Sequence, residues 1–316
     1  MNILSRIKNL FIKKPKIIVV LGQTSTGKSD LAVEIAQKYN GEIISADSRQ
    51  VYCGMDLGSG KITTKEMQGV PHYLLDVANP IEIFDVQKYQ KLGTEAIYNI
   101  HHKNKTPIIC GGTGFYIDNL IYQTQFSSVK SNSELREKLE KKSLEELQKL
   151  YKAKTSTMKF WIRSGMKNKI DIKNPVRIIR ALEIIEELSY IPKIKKNNPY
   201  NILFIGLTIP KKDLDRRIYK RIIDRLEIGM LSETHALLEN GVTHKRLQSL
   251  GLEYKFMSKH ILGEISYEEM IDQLYRATVQ FAKRQKTWFK RNKNIHWFNS
   301  FENRKNMHNL INNFLK

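Results

Sequence analysis

The segment Gly22–Ser29, with the sequence GQTSTGKS, constrains the fold of this chain more than any other feature. Its two glycines, four intervening residues, lysine and serine have the spacing of a phosphate-binding loop. Glycine lets the backbone curl until several N–H groups point at one anion, while Lys28 adds positive charge and Ser29 a hydroxyl for Mg²⁺. The sequence therefore predicts a site for a di- or triphosphate. The residues predicted to bind this phosphate are Gly22, Gln23, Thr24, Ser25, Thr26, Gly27, Lys28 and Ser29. Ser29 is also the predicted metal ligand.

The residues on either side of this loop have the patterns of a strand and a helix. Ile17–Leu21 is a β-branched apolar run with the length of a buried strand. After the loop, Leu31, Ala32, Ile35 and Ala36 recur at helical spacing. The loop therefore joins a strand to the N-terminus of a helix, where the helix dipole also favours an anion.

Two further turns follow predicted buried strands. Asp47–Tyr52 follows an apolar run, and the glycine-rich turn Gly111–Tyr116 follows Pro107–Cys110. In parallel α/β sheets, ligands bind outside the carboxyl ends of the strands. We therefore expect Asp47 and Thr113 to lie close to the phosphate loop, in one crevice.

Composition divides the chain into three regions. Residues 1–126 and 201–316 carry strand and helix patterns, including predicted strands at His72–Val77 and Asn201–Leu207. Residues 127–200 are polar, rich in Lys and Glu at helical spacing, and contain no strand-like run. The predicted fold class is therefore α/β, with a P-loop NTPase-like parallel sheet core flanked by helices and a helical insertion domain over residues 127–200.

The charge of the chain indicates a polyanionic partner. Its 316 residues include 53 Lys and Arg against 32 Asp and Glu, a net charge of +21. This surplus exceeds what solubility needs and favours nucleic acid, although a general preference for Lys, Asn and Ile would give the same total. The segment Gln280–Arg291 interleaves basic and aromatic residues, which suits phosphate contact and base stacking. A helix that packs its aromatic residues inward would show the same pattern.

Other features exclude several classes of protein. No stretch approaches the roughly 18 uncharged apolar residues that span a bilayer, and basic residues interrupt the apolar N-terminal segment. The two cysteines, Cys53 and Cys110, predict neither a disulfide framework nor a zinc site. We expect a cytoplasmic monomer that does not bind membranes.

Five stretches, in this order and spacing, cover nearly the whole chain: Gly22–Ser29, Asp47–Asp56, Gly111–Tyr116, Arg177–Glu183 and Gln280–Phe289. Together they resemble the tRNA dimethylallyltransferase family. The resemblance implies transfer of a dimethylallyl group from dimethylallyl diphosphate to N6 of adenosine 37 in the anticodon loop of tRNA, with Mg²⁺ as cofactor. The chain departs from the usual pattern at Gln23, where the family commonly has Pro.

The resemblance also implies roles for individual residues. Lys28, Arg217 and Arg221 would stabilise the departing diphosphate, Asp47 would accept a proton from N6, and Thr113 would hold the reactants in line. Asp47 has an alternative interpretation as a Mg²⁺-coordinating or capping carboxylate. The predicted tRNA-binding residues are Asp47, Ser48, Arg49, Gln50, Thr113, Arg136, Arg177, Arg180, Gln280, Lys283 and Arg284.

Two other functions fit part of the pattern. In a small-molecule or nucleotide kinase, ATP would occupy the phosphate loop. This function explains the first motif, but it explains neither the second glycine turn nor the basic C-terminal segment. A noncatalytic RNA-binding protein with a relic nucleotide pocket is the second alternative. The intact set Lys28, Ser29, Asp47 and Thr113 argues against decay of the pocket.

Overall fold

The structure is a computed structural model that describes residues 14–127, 129–156, 170–300, 302 and 304–316. The elements in chain order are β1 (Lys16–Gly22), α1 (Lys28–Lys38), β2 (Gly41–Ser45), α2 (Thr64–Met67), β3 (His72–Tyr73), α3 (Val86–His102), β4 (Thr106–Gly111), α4 (Gly114–Ile121), α5 (Ser133–Glu140), α6 (Leu144–Ser156), α7 (Pro175–Leu188), β5 (Asn201–Thr208), α8 (Lys211–Ile228), α9 (Met230–Glu239), α10 (His244–Leu250), α11 (Leu252–Ile261), α12 (Tyr267–Phe289), β6 (Ile295–Asn299) and α13 (Lys305–Leu315).

The six strands form one parallel sheet in the order β3-β2-β4-β1-β5-β6. β1 lies inside the sheet, where Val19 pairs with Ile109 of β4 and Phe204 of β5. Because all strands run the same way, the loops that follow β1, β2 and β4 emerge at one edge. The predicted fold class is confirmed.

Helices cover both faces of this sheet, as a parallel sheet requires. Alternate residues of β1 point to opposite sides, so Val19 belongs to a core with α3, α4, α8 and α12, and Val20 to a core with α1 and α13. Both valines are fully buried. Every residue in the centre of β1 is apolar because helices cover both faces of the sheet.

Three local features bear on the strand and helix predictions. β3 spans only two residues of the predicted strand His72–Val77, because Leu74 (φ 64°) and Asp76 (φ 54°) leave the extended conformation. The sequence did not identify β6, an edge strand in which two consecutive residues, His296 and Trp297, are exposed. Gly229 separates α8 from α9, because its φ of 116° lies outside the helical region.

Residues 123–197 form a separate small unit, where the sequence placed an insertion at 127–200. It contains α5, α6 and α7 around a core of Leu139, Leu147, Ile178, Ile179 and Leu182. α6 begins after a capping box, in which the Ser143 N–H donates to Glu146 at 2.7 Å and the Glu146 N–H donates to the Ser143 hydroxyl at 3.2 Å.

None of the helices in the described ranges combines the length and the apolar character that crossing a bilayer would need.

Candidate active site

The phosphate loop follows β1 and curls as its spacing predicts. A side chain at Gly22 would collide with the carbonyl of Leu207 in β5, so only glycine lets the two backbones approach. The Lys28 ammonium donates to the carbonyl oxygen of Gln23 at 2.6 Å, across the inside of the loop. The Ser25 hydroxyl oxygen is buried and makes no hydrogen bond to any described residue. Such an unpaired polar atom fits a loop that is completed by an anionic ligand.

α12 fixes this loop from the other side of the crevice. The Gln23 side chain donates to the Ala282 carbonyl at 3.1 Å, and the Thr24 N–H donates to the side-chain oxygen of Gln285 at 2.8 Å. The amide nitrogen of Gln285 donates in turn to the Gly112 carbonyl at 3.0 Å. One side chain therefore connects the first glycine loop with the second glycine turn.

α8 supplies two more cations to the same loop. Arg217 donates to the Ser25 carbonyl at 3.5 Å, and Arg221 donates to the Thr24 hydroxyl at 2.5 Å. Their spacing of four residues places both guanidinium groups on one face of the helix. The loop thus has Lys28 inside it and two arginines beside it.

The positive charges in this region lower one another's proton affinity. Burial, together with the nearby Arg221, lowers the pKa of Lys28 from 10.5 to about 8, while Asp47 acts in the opposite sense. Burial, with a contribution from Arg225, also lowers the pKa of Arg221. An anion bound in the loop would relieve this repulsion, so the electrostatics favour a phosphate ligand.

The second side of the crevice is built on the turns after β2 and β4. The Asp47 carboxylate accepts a hydrogen bond from the Arg49 N–H at 2.8 Å, which orients it at the end of its strand. The Thr113 hydroxyl accepts from the Ser48 N–H at 3.2 Å, and the Thr113 N–H donates to the Ala46 carbonyl at 3.1 Å. These bonds hold the two turns together. Asp47 and Thr113 also line one crevice with the phosphate loop, as the sequence predicted.

A cavity of about 870 Å³ joins the two sides. The side chains of Phe115, Phe281 and Trp288 give it an apolar wall. The predicted site residues that line it are Thr24, Ser25, Gly27, Lys28, Ser29, Asp47, Ser48, Arg49, Gln50, Thr113, Arg221 and Arg284. The cations of this cavity can bind the anionic end of a molecule, and the aromatic wall can bind its apolar part. The Asp47 carboxylate then lies in the same space and can act as a base.

Other predicted residues lie outside the cavity. Gly22, Gln23 and Thr26 are the buried residues of the loop itself, and Arg217 contacts the loop through the Ser25 carbonyl. Gln280 and Lys283 are exposed on α12 and do not line the cavity.

Three predicted arginines lie in the small unit. Arg136 and Arg180 both pair with the buried carboxylate of Glu183, at 2.8 and 3.3 Å. Arg177 pairs with Asp171 at 3.4 Å on the surface. Arg136 and Arg180 thus have a structural partner of their own.

One residue that the sequence did not single out shapes the loop over residues 54–61. The Glu233 carboxylate accepts hydrogen bonds from the N–H groups of Asp56, Leu57 and Gly58, at 2.7–3.0 Å, and from the Tyr254 hydroxyl at 2.7 Å. Asp56 and Leu57 line the cavity, so Glu233 holds part of its wall in place. No sequence pattern marks this role, because the carboxylate and the loop are about 175 residues apart.

The side-chain oxygens in the cavity are of the kind that would hold a magnesium ion together with a phosphate ligand. Ser29, Asp30 and Asp47 line the cavity, and no group of three or more His, Cys, Asp or Glu residues arranged for a metal occurs among the described residues. Mg²⁺ bound to phosphates needs only one or two protein oxygens, because water completes its coordination. The Ser29 hydroxyl with a neighbouring carboxylate satisfies that requirement.

Comparison with known proteins identifies the family. The model of the IPP transferase family matches residues 50–292. The tRNA dimethylallyltransferase 2 of Treponema denticola is 44% identical over 284 residues, which is 88% of this chain and 92% of that protein. The protein of the same name from Shewanella sediminis is 40% identical over 291 residues, 90% of this chain and 94% of the relative.

A solved structure agrees with these relatives. The crystal structure of the full-length tRNA isopentenylpyrophosphate transferase from Bacillus halodurans is 35% identical in sequence and superposes with a TM-score of 0.72 over 96% of this chain and 97% of that one. The resemblance seen in the five motifs is therefore confirmed, and this chain belongs to the IPP transferase family of tRNA dimethylallyltransferases.

Proposed function

We propose that this chain transfers the dimethylallyl group of dimethylallyl diphosphate to N6 of adenosine 37 in the anticodon loop of tRNA and releases diphosphate. The observation that carries the proposal is the single cavity that both the cationic phosphate loop and the Asp47 carboxylate line. A kinase needs the loop for ATP but gives no reason for the apolar wall of Phe115, Phe281 and Trp288, which suits an isoprenoid. Family membership favours the same choice.

The donor side of the cavity stabilises a leaving diphosphate. As the bond between the allylic carbon and oxygen lengthens, its electron pair moves to the diphosphate and the carbon becomes cation-like. Lys28, Arg221 and the loop N–H groups are positioned to receive the growing negative charge, and Arg217 supports the loop at Ser25. When bound at Ser29, Mg²⁺ would add a further positive charge that stabilises the leaving diphosphate.

The acceptor side prepares a poor nucleophile. The lone pair of the adenine N6 is delocalised into the ring, so N6 attacks carbon only if that pair is localised. The Asp47 carboxylate, oriented by the Arg49 N–H, would accept a hydrogen bond from N6–H and take the proton as the N–C bond forms. Thr113, bonded to the Ser48 N–H, would keep the acceptor turn in register with the donor.

The adenosine must leave the anticodon loop to reach this cavity. Extruding a loop nucleotide costs a few kcal/mol, less than flipping a base out of a duplex. Ser48, Arg49, Gln50 and Arg284 line the cavity where the extruded nucleotide would enter, so we assign them to its recognition. We assign the exposed residues Gln280, Lys283 and Arg177 to contacts with the rest of the tRNA, together with the partly exposed Arg136 and Arg180. We also propose that the protein acts as a monomer in the cytoplasm.

Label transfer tests the proposal directly. The full-length protein is incubated with Mg²⁺ and unmodified tRNA, together with either dimethylallyl diphosphate labelled in the prenyl group or γ-labelled ATP. We expect prenyl label to enter tRNA at adenosine 37 and no phosphate label to move to any acceptor. Transfer of the γ-phosphate, or tRNA binding without any transfer, would contradict the proposal.

A further inference from the structure

Arg225 is an unassigned cation in the wall of the cavity. It lies on α8, half-buried, and lines the same space as Lys28 and Asp47. Within the described part of the chain its guanidinium makes no hydrogen bond and no ion pair. Burial lowers the pKa of Arg225, while the charges of surrounding acidic groups, chiefly Glu253, act in the opposite sense. The five N–H donors of this partly enclosed cation are thus left without an acceptor among the described residues and are available to a ligand.

The position of Arg225 follows from the spacing of three arginines on α8. Arg217, Arg221 and Arg225 recur every four residues and therefore lie along one face. The first two contact the phosphate loop at Ser25 and Thr24. Each step of four residues advances about 6 Å along the helix axis, so the third guanidinium is displaced from the loop by a further turn.

Arg225 instead packs against the acceptor side of the cavity. Its guanidinium lies on Gly60, which has a φ of 64°, and a Cβ atom at that position would overlap it. The Gly60 carbonyl accepts a hydrogen bond from the Gln50 side chain at 3.0 Å, and Gln50 also accepts from the Ser45 hydroxyl at 3.0 Å. A series of contacts therefore connects the segment that bears Asp47 with Arg225: Gln50 bonds to Gly60, and Gly60 packs against the guanidinium.

We propose that Arg225 binds a backbone phosphate of the acceptor RNA next to the extruded adenosine. This rests on the proposed function, which brings two anions into the cavity. The diphosphate of the donor has Lys28 and Arg221 at the loop, whereas the α8 cation that packs against Gly60 is Arg225. A guanidinium matches a phosphate with two parallel N–H donors, and such a contact releases counterions from RNA.

The test compares Arg225→Gln with a variant of equal charge change on the same helix. The control is Arg216→Gln, because the Arg216 side chain is 77% exposed and, among the described residues, pairs with Asp213 alone, at 3.1 Å. Binding of the full-length proteins to an unmodified tRNA transcript is measured by filter retention at several salt concentrations. Binding of inorganic diphosphate to each protein is measured separately, and it reports whether the donor site is intact.

We expect Arg225→Gln to weaken tRNA binding about tenfold relative to Arg216→Gln. The slope of log K against log salt should also decrease in magnitude by about 0.7–0.9, the contribution of one phosphate contact, and Arg225→Lys should restore most of it. Inorganic diphosphate should bind both Gln variants alike. Equal tRNA affinity and slope in the two Gln variants would overturn the inference, and so would a loss confined to diphosphate binding.

These measurements of binding do not depend on catalysis. If the wild-type protein prenylates tRNA and Arg225→Gln binds tRNA as the control does, only the assignment of Arg225 fails. If the wild-type protein transfers no label, the proposed function fails, and the salt slope still decides whether Arg225 contacts RNA.

Discussion

Gln285 donates a hydrogen bond to the carbonyl oxygen of Gly112 at 3.0 Å, although 173 residues separate them in sequence. The side-chain oxygen of the same glutamine accepts the N–H of Thr24 at 2.8 Å. The two glycine-rich turns of the crevice are thus held at a fixed separation by a helix that follows both of them in the chain. The geometry of donor and acceptor sides depends on this bridge.

Replacing Gln285 with Leu should weaken the donor site. The change leaves the Thr24 N–H and the Gly112 carbonyl unpaired, at about 1–3 kcal/mol for each buried group. We expect diphosphate to bind about tenfold more weakly and the free energy of unfolding to fall by about 2 kcal/mol, measured by isothermal titration and urea denaturation. Thr287→Ala on the exposed side of the same helix is the control. Unchanged diphosphate affinity would contradict the bridging role.

The lowered pKa of Lys28 should limit donor binding at alkaline pH. Since its pKa is about 8 rather than 10.5, the free enzyme begins to lose this positive charge near pH 8, and the diphosphate loses a cation. We expect kcat/KM for dimethylallyl diphosphate to be level below that pH and to fall about tenfold per unit above it. In Lys28→Arg the fall should move to higher pH, because guanidinium keeps its proton. A flat profile to about pH 9.5 in the wild type would refute this account.

Removing the Asp47 carboxylate should slow transfer without releasing tRNA. In the proposed mechanism, Asp47→Ala lacks the group that accepts the N6 proton, and general-base contributions are typically about 10²–10⁴-fold. We expect a decrease of that size in the single-turnover rate, with the tRNA dissociation constant nearly unchanged. Asp47→Asn can still accept the Arg49 N–H but is a far weaker base, so it should be as slow as Asp47→Ala. A rate equal to that of the wild type in either variant would remove Asp47 from the base role.

Glu183 should stabilise the small unit through its two arginines. Its side chain is 1% exposed and pairs with Arg136 and Arg180, whose side chains are about one-third exposed. In Glu183→Gln we expect the free energy of unfolding to decrease by about 1–3 kcal/mol, since water can solvate part of each guanidinium. Urea denaturation and the rate of proteolysis within residues 123–197 are the measurements. Glu187→Gln, exposed on the same helix, should leave both unchanged, and equal stability of the two variants would contradict the assignment.

The sequence alone determined the features that depend on neighbouring residues. The spacing of Gly22–Ser29 predicted the loop, the apolar run before it predicted β1, and parallel-sheet topology then brought Asp47 and Thr113 to the same edge. Strand β6 escaped detection because its edge position lets polar and exposed residues interrupt the apolar pattern. Patterns of period two or 3.6 report burial along one element, and they are clearest where both faces are covered.

Only the tertiary structure decided which distant side chains complete the site. Gln285 lies in a segment that the sequence marked as basic and aromatic, yet its function is to join two backbone turns. Glu233 and Arg225 have ordinary helical spacing, and their contacts with the cavity wall appear only when the loop over residues 54–61 packs against them. Hydrogen-bond partners across more than 150 residues depend on how helices pack on the sheet. Local patterns determine the elements, whereas long-range packing determines which polar atoms meet.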